Sequence, residues 1–332
     1  MNKQNLNDLS DNLIAIIRRR PGYFYSFTYL RKRLEIDGDL LLEAIELLRQ
    51  TGYRIETRKD SHCAFKSAPD LLLRAEILCG LRTKKIGRII HAFQSVQSTN
   101  MIARQMAEAG AAEGTIVVAE EQTRGRGRLG RKWFSSGGKG IYLSIIIYPN
   151  IKPTMAPGLS IMTALALADI LSDYNAPAVN IKWPNDCLIN GRKTAGILTE
   201  LAAEIGKVHY VIVGVGINVN HRRGDFPEDI RKTGTSVGAE LRQNLHRVEL
   251  LQKFLYQFEK DYQIYQKSGL KNLRKRIVKY SNLIGSYISL GQKDEVISGV
   301  ARDIDIEGRL ILELPGGHRK AFNAGEVTVI KE

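Results

Sequence analysis

The spacing of apolar residues changes character twice along this chain, and that alone divides it. Up to about residue 50 apolar side chains recur at helical spacing; from about 80 to 282 apolar strand-like runs alternate with helices; beyond 283 only short strands between turns remain. The 332 residues suffice for two or three domains of about 100–200 residues each. Three blocks are expected: 1–69, 70–282 and 283–332. No internal repeat or low-complexity tract interrupts them.

In the first block Leu6, Leu9, Leu13, Ile16 and Ile17 share one helical face, and Arg18–Arg20 followed by Pro21-Gly22 ends that helix. A second helix fits Phe27–Leu34, and a third Asp39–Gln50, with Leu41, Ala44, Ile45 and Leu48 on one side and Gly52 as its stop. Alternating Tyr53-Arg54-Ile55-Glu56-Thr57 leads through a polar turn to Ala64-Phe65. Three helices and a β-hairpin make a winged helix-turn-helix, which resembles many bacterial DNA-binding domains. Ser67-Ala68-Pro69-Asp70 reads as a linker and Leu71–Cys79 as a connecting helix.

In the middle block the strand candidates are Ile89–Phe93, Thr115–Glu120, Ile141–Tyr148, Val179–Trp183, Ala195–Ala202 and Tyr210–Val219. Helices fit Thr99–Glu108, Pro157–Tyr174 (largely buried) and Arg247–Gln266, whose Leu250, Leu251, Phe254, Leu255 and Phe258 lie on one face. The pattern predicts a mixed sheet packed on helices, an α+β layer. In the last block Tyr287–Leu290, Val296–Asp303, Arg309–Glu313 and Val327–Ile330 predict a small SH3-like barrel docked on the middle block.

Composition narrows the class. A hydrophobic content of 43% and a charged content of 25% belong to a globular chain. No signal-peptide pattern opens it, and no apolar run is expected to approach the ~20 residues of a membrane span. Cys63, Cys79 and Cys187 lack metal-ligand spacing and read as reduced thiols, so a cytoplasmic location is expected. The net charge of +14 invites a nucleic-acid reading, but residues 1–79 hold 13 Lys or Arg against 11 Asp or Glu. The excess therefore lies mostly outside the segment that looks like a DNA-binding module, and charge alone does not establish DNA binding.

The richest stretch chemically is residues 122–134, Gln-Thr-Arg-Gly-Arg-Gly-Arg-Leu-Gly-Arg-Lys-Trp-Phe. Arg124, Arg126, Arg128, Arg131 and Lys132 stand among Gly125, Gly127 and Gly130, between two runs that read as buried strands. Glycine lets a backbone approach a ligand closely, and arginine's planar fork matches carboxylate and phosphate oxygens. Such a loop suits a small, doubly anionic ligand, with Trp133 stacked on a flat ring. A flexible basic surface loop, or a nonspecific RNA-binding Gly-Arg element, has the same composition.

Four further stretches admit two readings each. Ser98-Thr99-Asn100 caps a helix, binds polar ligand atoms, or does both. Ile181-Lys182-Trp183-Pro184-Asn185-Asp186 is a plain strand-to-turn transition, or it sets Lys182 and Asp186 beside an anionic ligand and Mg2+, which takes one or two carboxylates plus substrate phosphates. Lys193, in Gly191-Arg192-Lys193-Thr194-Ala195-Gly196-Ile197-Leu198, is solvated, or it faces a ligand that Ala195 and Gly196 let close. Val213-Gly214-Val215-Gly216-Ile217-Asn218-Val219-Asn220 is a tightly packed buried strand, or Asn218 bonds a nucleotide or metal-bound phosphate.

In their order and spacing these five stretches closely resemble the biotin protein ligases, and the flanking blocks resemble the bifunctional biotin protein ligase / biotin operon repressor (BirA) family. The resemblance spans nearly the whole chain; it is most specific across 98–220, good at Asp303-Ile304-Asp305 and Gly325-Glu326-Val327, and looser in the first 70 residues. It implies a winged helix-turn-helix, an α+β mixed-sheet biotin ligase catalytic domain and an SH3-like C-terminal domain. It implies an enzyme that joins biotin to ATP as biotinyl-5′-AMP, with Mg2+, and passes biotin to one lysine of the biotin carboxyl carrier protein of acetyl-CoA carboxylase. By that resemblance Ser98, Thr99, Asn100 and Gln122 hold the polar head of biotin, and Gly125, Arg126, Gly127 and Arg128 close over it. Arg131, Lys132, Trp133, Asn185 and Asn218 fall on the ATP and adenylate side, and Lys193 meets the biotin carboxylate. Arg128, Lys182 and Lys193 are the catalytic cations, and Asp186 is the metal-side carboxylate. No covalent nucleophile is needed. The resemblance also implies operator DNA as a partner, no membrane, and a homodimer when adenylate-bound, with the strand around Val211–Val219 as the pairing edge.

Two positions depart from the family pattern. Leu129 stands where a further arginine is common, for which adjusted affinity is expected. The recognition helix opens with Asp37-Gly38-Asp39 and continues with Glu43 and Glu46, carboxylates that repel phosphate, so DNA contact would need Arg31–Arg33 or the wing residues Arg54, Arg58 and Lys59. Against an enzyme that is also a repressor stand three other readings: a regulator that chiefly senses biotinyl-AMP, a ligase whose N-terminal block no longer binds DNA, and a lipoate- or other acyl-transferring relative.

Overall fold

Helical spacing at the N-terminus and strand-like runs later produce two compact units, one ending at Gly80 and one beginning at Leu81. The computed structural model describes residues 3–59, 61–292, 295–323 and 325–329.

The first unit runs α1 (Lys3–Ile17), β1 (Tyr25–Ser26), α2 (Phe27–Leu34), α3 (Gly38–Gln50), β2 (Arg54–Arg58), β3 (His62–Ser67) and α4 (Arg74–Leu78). The strands form an antiparallel sheet in the order β1-β3-β2. Leu13, Ile17, Leu30, Leu41, Ile45 and Leu48 make the core, the face that the periodicity marks. Asp37 opens α3 for a local reason: its carboxylate accepts from the Leu40 N–H at 2.8 Å, a helix N-cap. Beyond the Pro69–Asp70 boundary expected from composition, α4 stays with this unit. Its buried Glu76 meets Arg18 at 2.5 Å and accepts from the Tyr53 hydroxyl at 2.9 Å.

The second unit continues with β4 (Ile90–Val96), α5 (Thr99–Glu108), β5 (Ile116–Gln122), β6 (Gly140–Ile147), α6 (Ala156–Asp173), β7 (Val179–Lys182), β8 (Asp186–Ile189), β9 (Arg192–Glu204), β10 (Lys207–Asn218), α7 (Val237–Leu241), α8 (Arg247–Ser268) and α9 (Arg274–Tyr280). Seven strands form one sheet in the order β4-β5-β6-β10-β9-β8-β7, mixed because β4 and β5 run parallel. Two expectations are corrected. The strand around Val211–Val219 is no edge: from Val211 to Ile217, β10 pairs with β6 on one side and β9 on the other. A central strand must be apolar on both faces, which is why its sequence is so hydrophobic. The open length of backbone belongs instead to β9, because β8 pairs only with Arg192–Gly196 and leaves the stretch beyond Ile197 joined to β10 alone. Nor is the chain without a long apolar run: Pro153–Asp173 has a mean hydropathy of 1.5, and 78% of that window is buried. It is the core helix, packed against α8 and the sheet, and so is apolar all round.

Beyond it β11 (Tyr287–Gln292), β12 (Glu295–Ile304), β13 (Leu310–Glu313), β14 (Arg319–Phe322) and β15 (Glu326–Val329) form a small antiparallel sheet in the order β14-β13-β12-β11-β15. The expected last strand ends at Ile330, which lies outside the described residues. This sheet is seated on the larger one through Trp183, whose indole N–H donates to the Gly308 carbonyl at 2.9 Å.

Candidate active site

A cavity of about 410 Å3 opens over β9 and β10. Its walls are the start of α5, the basic loop after β5, the turn between β7 and β8, the segment after β10, and Gly325 and Val327 from the small sheet. Stretches more than a hundred residues apart therefore meet at one place. Ser98, Thr99, Asn100, Gln122, Arg126, Gly127, Arg128, Arg131, Lys132, Trp133, Lys182, Asn185, Asp186, Lys193 and Asn218 all line it. Gly125 does not: it is buried behind the loop, where a side chain would strike Ser135 Oγ at 2.7 Å.

The floor is made by absence of side chains. The Trp133 indole packs closely against Gly196 and Gly216, and a Cβ on Gly216 would overlap it. Only glycine permits an aromatic ring to rest on a sheet this closely. Trp133 Nε1 is buried, with no hydrogen-bond partner among the described residues.

Over this floor two of the cations, Lys193 and Arg128, are held by neighbouring side chains. Lys193 Nζ lies 2.8 Å from Asp186 Oδ1 and 5.4 Å from the centre of the Trp133 ring. Arg128 donates to Asn185 Oδ1 at 2.8 Å, and Asn185 in turn donates to the Ile197 carbonyl at 3.0 Å. Burial pushes the Arg128 guanidinium below its usual range, opposed by the charge of Asp186. Lys182, Arg131 and Lys132 are exposed at the rim. The loop itself folds back as a narrow hairpin: Gly127 N–H donates to the Arg131 carbonyl at 2.7 Å, and Trp133 N–H to the Gly125 carbonyl at 2.9 Å.

At the opposite end Ser98, Thr99 and Asn100 are uncharged and buried. Ser98 precedes α5, but its hydroxyl makes no capping bond, so the helix-capping reading does not hold for it. The Thr99 N–H is capped instead by Gln122 Oε1 at 2.9 Å, from a different strand. Asn100 is fully engaged within the protein, donating to Glu200 Oε2 (2.8 Å) and the Leu198 carbonyl (3.3 Å) and accepting from Ser144 (2.6 Å). Asn218, two residues beyond Gly216 on β10 and so on the Trp133 side, donates to the Thr235 carbonyl at 3.1 Å and anchors the segment after β10.

That segment holds what the sequence did not signal. Phe226 lines the cavity and stacks on His221 (5.2 Å), which in turn faces Phe134 (5.9 Å). His221 is 1% exposed, and burial pushes its pKa down to about 4, so the stack is neutral. Sequence reasoning also misses Ser144 and Glu200. Each looks like an ordinary strand residue until Asn100 is folded against it, and no local signal distinguishes them.

The only carboxylate among the predicted site residues is Asp186, and no group of three His, Cys, Asp or Glu suited to a metal occurs among the described residues. That donor set fits an Mg2+ carried mainly by nucleotide phosphates, not a resident ion in a protein cage.

Residues 90–218 match the Biotin/lipoate A/B protein ligase family, and 283–329 match the Biotin protein ligase C terminal domain. The chain is 34% identical over 316 residues to the Bifunctional ligase/repressor BirA of Bacillus subtilis, covering 95% of this chain and 97% of that relative. It is 34% identical over 242 residues to the Biotin--[acetyl-CoA-carboxylase] ligase of Mycobacterium tuberculosis, covering 70% and 86% respectively. Among solved structures it resembles the biotin protein ligase from Aquifex aeolicus in complex with biotin and ATP, at 27% identity and a TM-score of 0.62, over 74% of this chain and 100% of that one.

Proposed function

The chain belongs to the biotin protein ligase family, and from that premise we propose the part each site residue plays. The protein is an ATP-dependent ligase that forms biotinyl-5′-AMP and transfers biotin to a lysine of the biotin carboxyl carrier protein. The observation that carries the residue assignments is the convergence of Arg128, Lys182 and Lys193 on a cavity whose other end is lined by the hydrogen-bonding hydroxyl and amide groups of Ser98, Thr99, Asn100 and Gln122.

That polarity matches the substrates. Biotin's uncharged ureido ring belongs at the Ser98, Thr99 and Gln122 end, where buried hydroxyl and amide groups can select it. Its carboxylate then points to Lys193. In the first step a carboxylate oxygen attacks the α-phosphorus of ATP, an acyl–phosphate bond forms and pyrophosphate leaves. Two anions must approach, and the cost is electrostatic. Lys193 and Arg128, already fixed by Asp186 and Asn185, offset it without reorganising at the moment of reaction. Lys182, Arg131 and Lys132 at the rim take the departing phosphates. Asp186, together with the ATP phosphates, would hold Mg2+, which would supply further charge neutralisation. Trp133 supports the adenylate from the floor, with Asn218 holding the wall beside it.

In the second step the carrier lysine's amine attacks the anhydride carbonyl, an amide forms and AMP leaves. The Gly125–Trp133 loop, closed over the intermediate, keeps water from taking the amine's place. Pyrophosphate release measured separately with biotin and with lipoate tests the reading. Activity with biotin alone is expected; equal activity with lipoate would reassign the site to an acyl-transferring relative.

The N-terminal unit is read as a winged helix-turn-helix, with α2 and α3 as the helix pair and β2–β3 as the wing. The full-length match to a ligase/repressor supports that reading. Because α3 exposes Asp39, Glu43 and Glu46, phosphate contact is assigned to exposed Arg31, Lys32, Arg33, Arg54, Arg58 and Lys59. The adenylate-bound form is proposed to be a homodimer built on the open stretch of β9 beyond Ile197, where Leu201 is 42% exposed. A gel shift on the DNA upstream of biotin genes, with and without biotin plus ATP, tests both. No adenylate-dependent shift at low salt would leave a ligase alone.

A further inference from the structure

One carboxylate that the ligase chemistry does not use gathers three groups at the biotin end. Glu200, on β9, has 21% side-chain exposure. Its Oε2 accepts from Asn100 at 2.8 Å, its Oε1 accepts from Arg104 at 2.8 Å, and Arg126 stands 4.0 Å from the same Oε1. Asn100 is thereby held from both sides, since Ser144 donates to its oxygen. Gly214 lies directly beneath, where a Cβ would overlap the Asn100 amide. A side chain gripped this way is part of the wall's frame. Arg126 is in the contrary state: at 4.0 Å and 60% exposed it is attracted, but not locked.

We propose that Glu200 is a positioning residue for the ligase reaction. From behind the cavity wall it fixes Asn100, and it draws Arg126 inward so that the basic loop rests over the biotin end. Arg104, on the outer side, holds the carboxylate in the rotamer that serves both. This assignment rests on the biotin and adenylate reading of the cavity.

The test uses the full chain with Glu200→Ala, Glu200→Gln, Arg126→Ala and the Glu200→Gln/Arg126→Ala double variant. KM for biotin and for ATP is read from pyrophosphate exchange, and the release rate of biotinyl-5′-AMP is measured separately. Glu200→Ala is expected to raise the biotin KM about tenfold, the size of one lost charge-assisted hydrogen bond, and to speed adenylate release, with the ATP KM within about twofold. Glu200→Gln keeps an oxygen for Asn100 but loses the charge. It should restore the biotin KM while release stays fast, and the double variant should release no faster than Arg126→Ala alone. Additive effects in the double variant, or both KM values rising together with a lowered Tm, overturn the proposal. If the wild-type chain exchanges pyrophosphate with biotin and Glu200→Ala matches it in every readout, only the Glu200 assignment fails. If the wild-type chain does not exchange, the ligase reading itself has failed.

Discussion

Cations of the cavity and cations of the N-terminal unit answer different demands. In the cavity Lys193 and Arg128 are partly buried and tied to Asp186 and Asn185. On the N-terminal unit Arg31, Lys32, Arg33 and Arg54 stand exposed, beside a helix whose outer face carries Asp39, Glu43 and Glu46. Fixed cations suit one small anion in one geometry, because nothing must reorganise when it arrives. Exposed, flexible cations suit a long polyanion, whose binding rests on released counterions and fades with salt. The N-terminal unit's cations are nearly balanced by its own carboxylates, so the +14 charge of the chain lies mostly outside it and does not report on DNA binding.

Five expected outcomes press on that contrast, the largest first. Lys193→Ala should lower adenylate synthesis by about three orders of magnitude or more, as loss of a preorganised transition-state cation does. Pyrophosphate exchange at the wild-type rate would place the chemistry elsewhere. Gly216→Val should cost about a hundredfold in kcat/KM, roughly 2.7 kcal/mol, because the Trp133 floor must move. Unchanged kinetics would mean that the ring does not support the ligand. Arg128→Gly should raise release of activated biotin about tenfold, the loss of one charge-assisted bond, read as biotin appearing on the protein's own lysines; labelling no greater than wild type counts against it.

The smallest effect concerns the other region. Replacing Arg31, Lys32 and Arg33 with Ala should weaken DNA binding several-fold and lower the salt slope by about 2–3, roughly one for each phosphate no longer neutralised. Replacing Asp39 and Glu43 with Asn and Gln should instead tighten it. If neither set changes the salt dependence, the unit does not meet DNA through this face.

Much of this was legible in residue order. The helices 27–34 and 99–108 are found where spacing puts them, because amphipathic helices announce themselves within a dozen residues. Three features were not. β8 is four residues long and follows a proline turn, so it carries too little pattern to read. The strand expected at an edge lies at the centre of the sheet, since a strand's neighbours are not written in its own sequence. Glu200 and Ser144 acquire meaning only through Asn100, a hundred residues away in one case.

Amino-acid order alone sets which side chains are cationic, which glycines leave room, and where helices begin, because those properties are local. Packing settles the rest: which cations are restrained and by whom, that Trp133 rests on two glycines, and that Asn100 faces Glu200 and Ser144. Hydrogen bonds and ion pairs act over a few ångströms, so their consequences depend on distances that exist once strands and helices have come together.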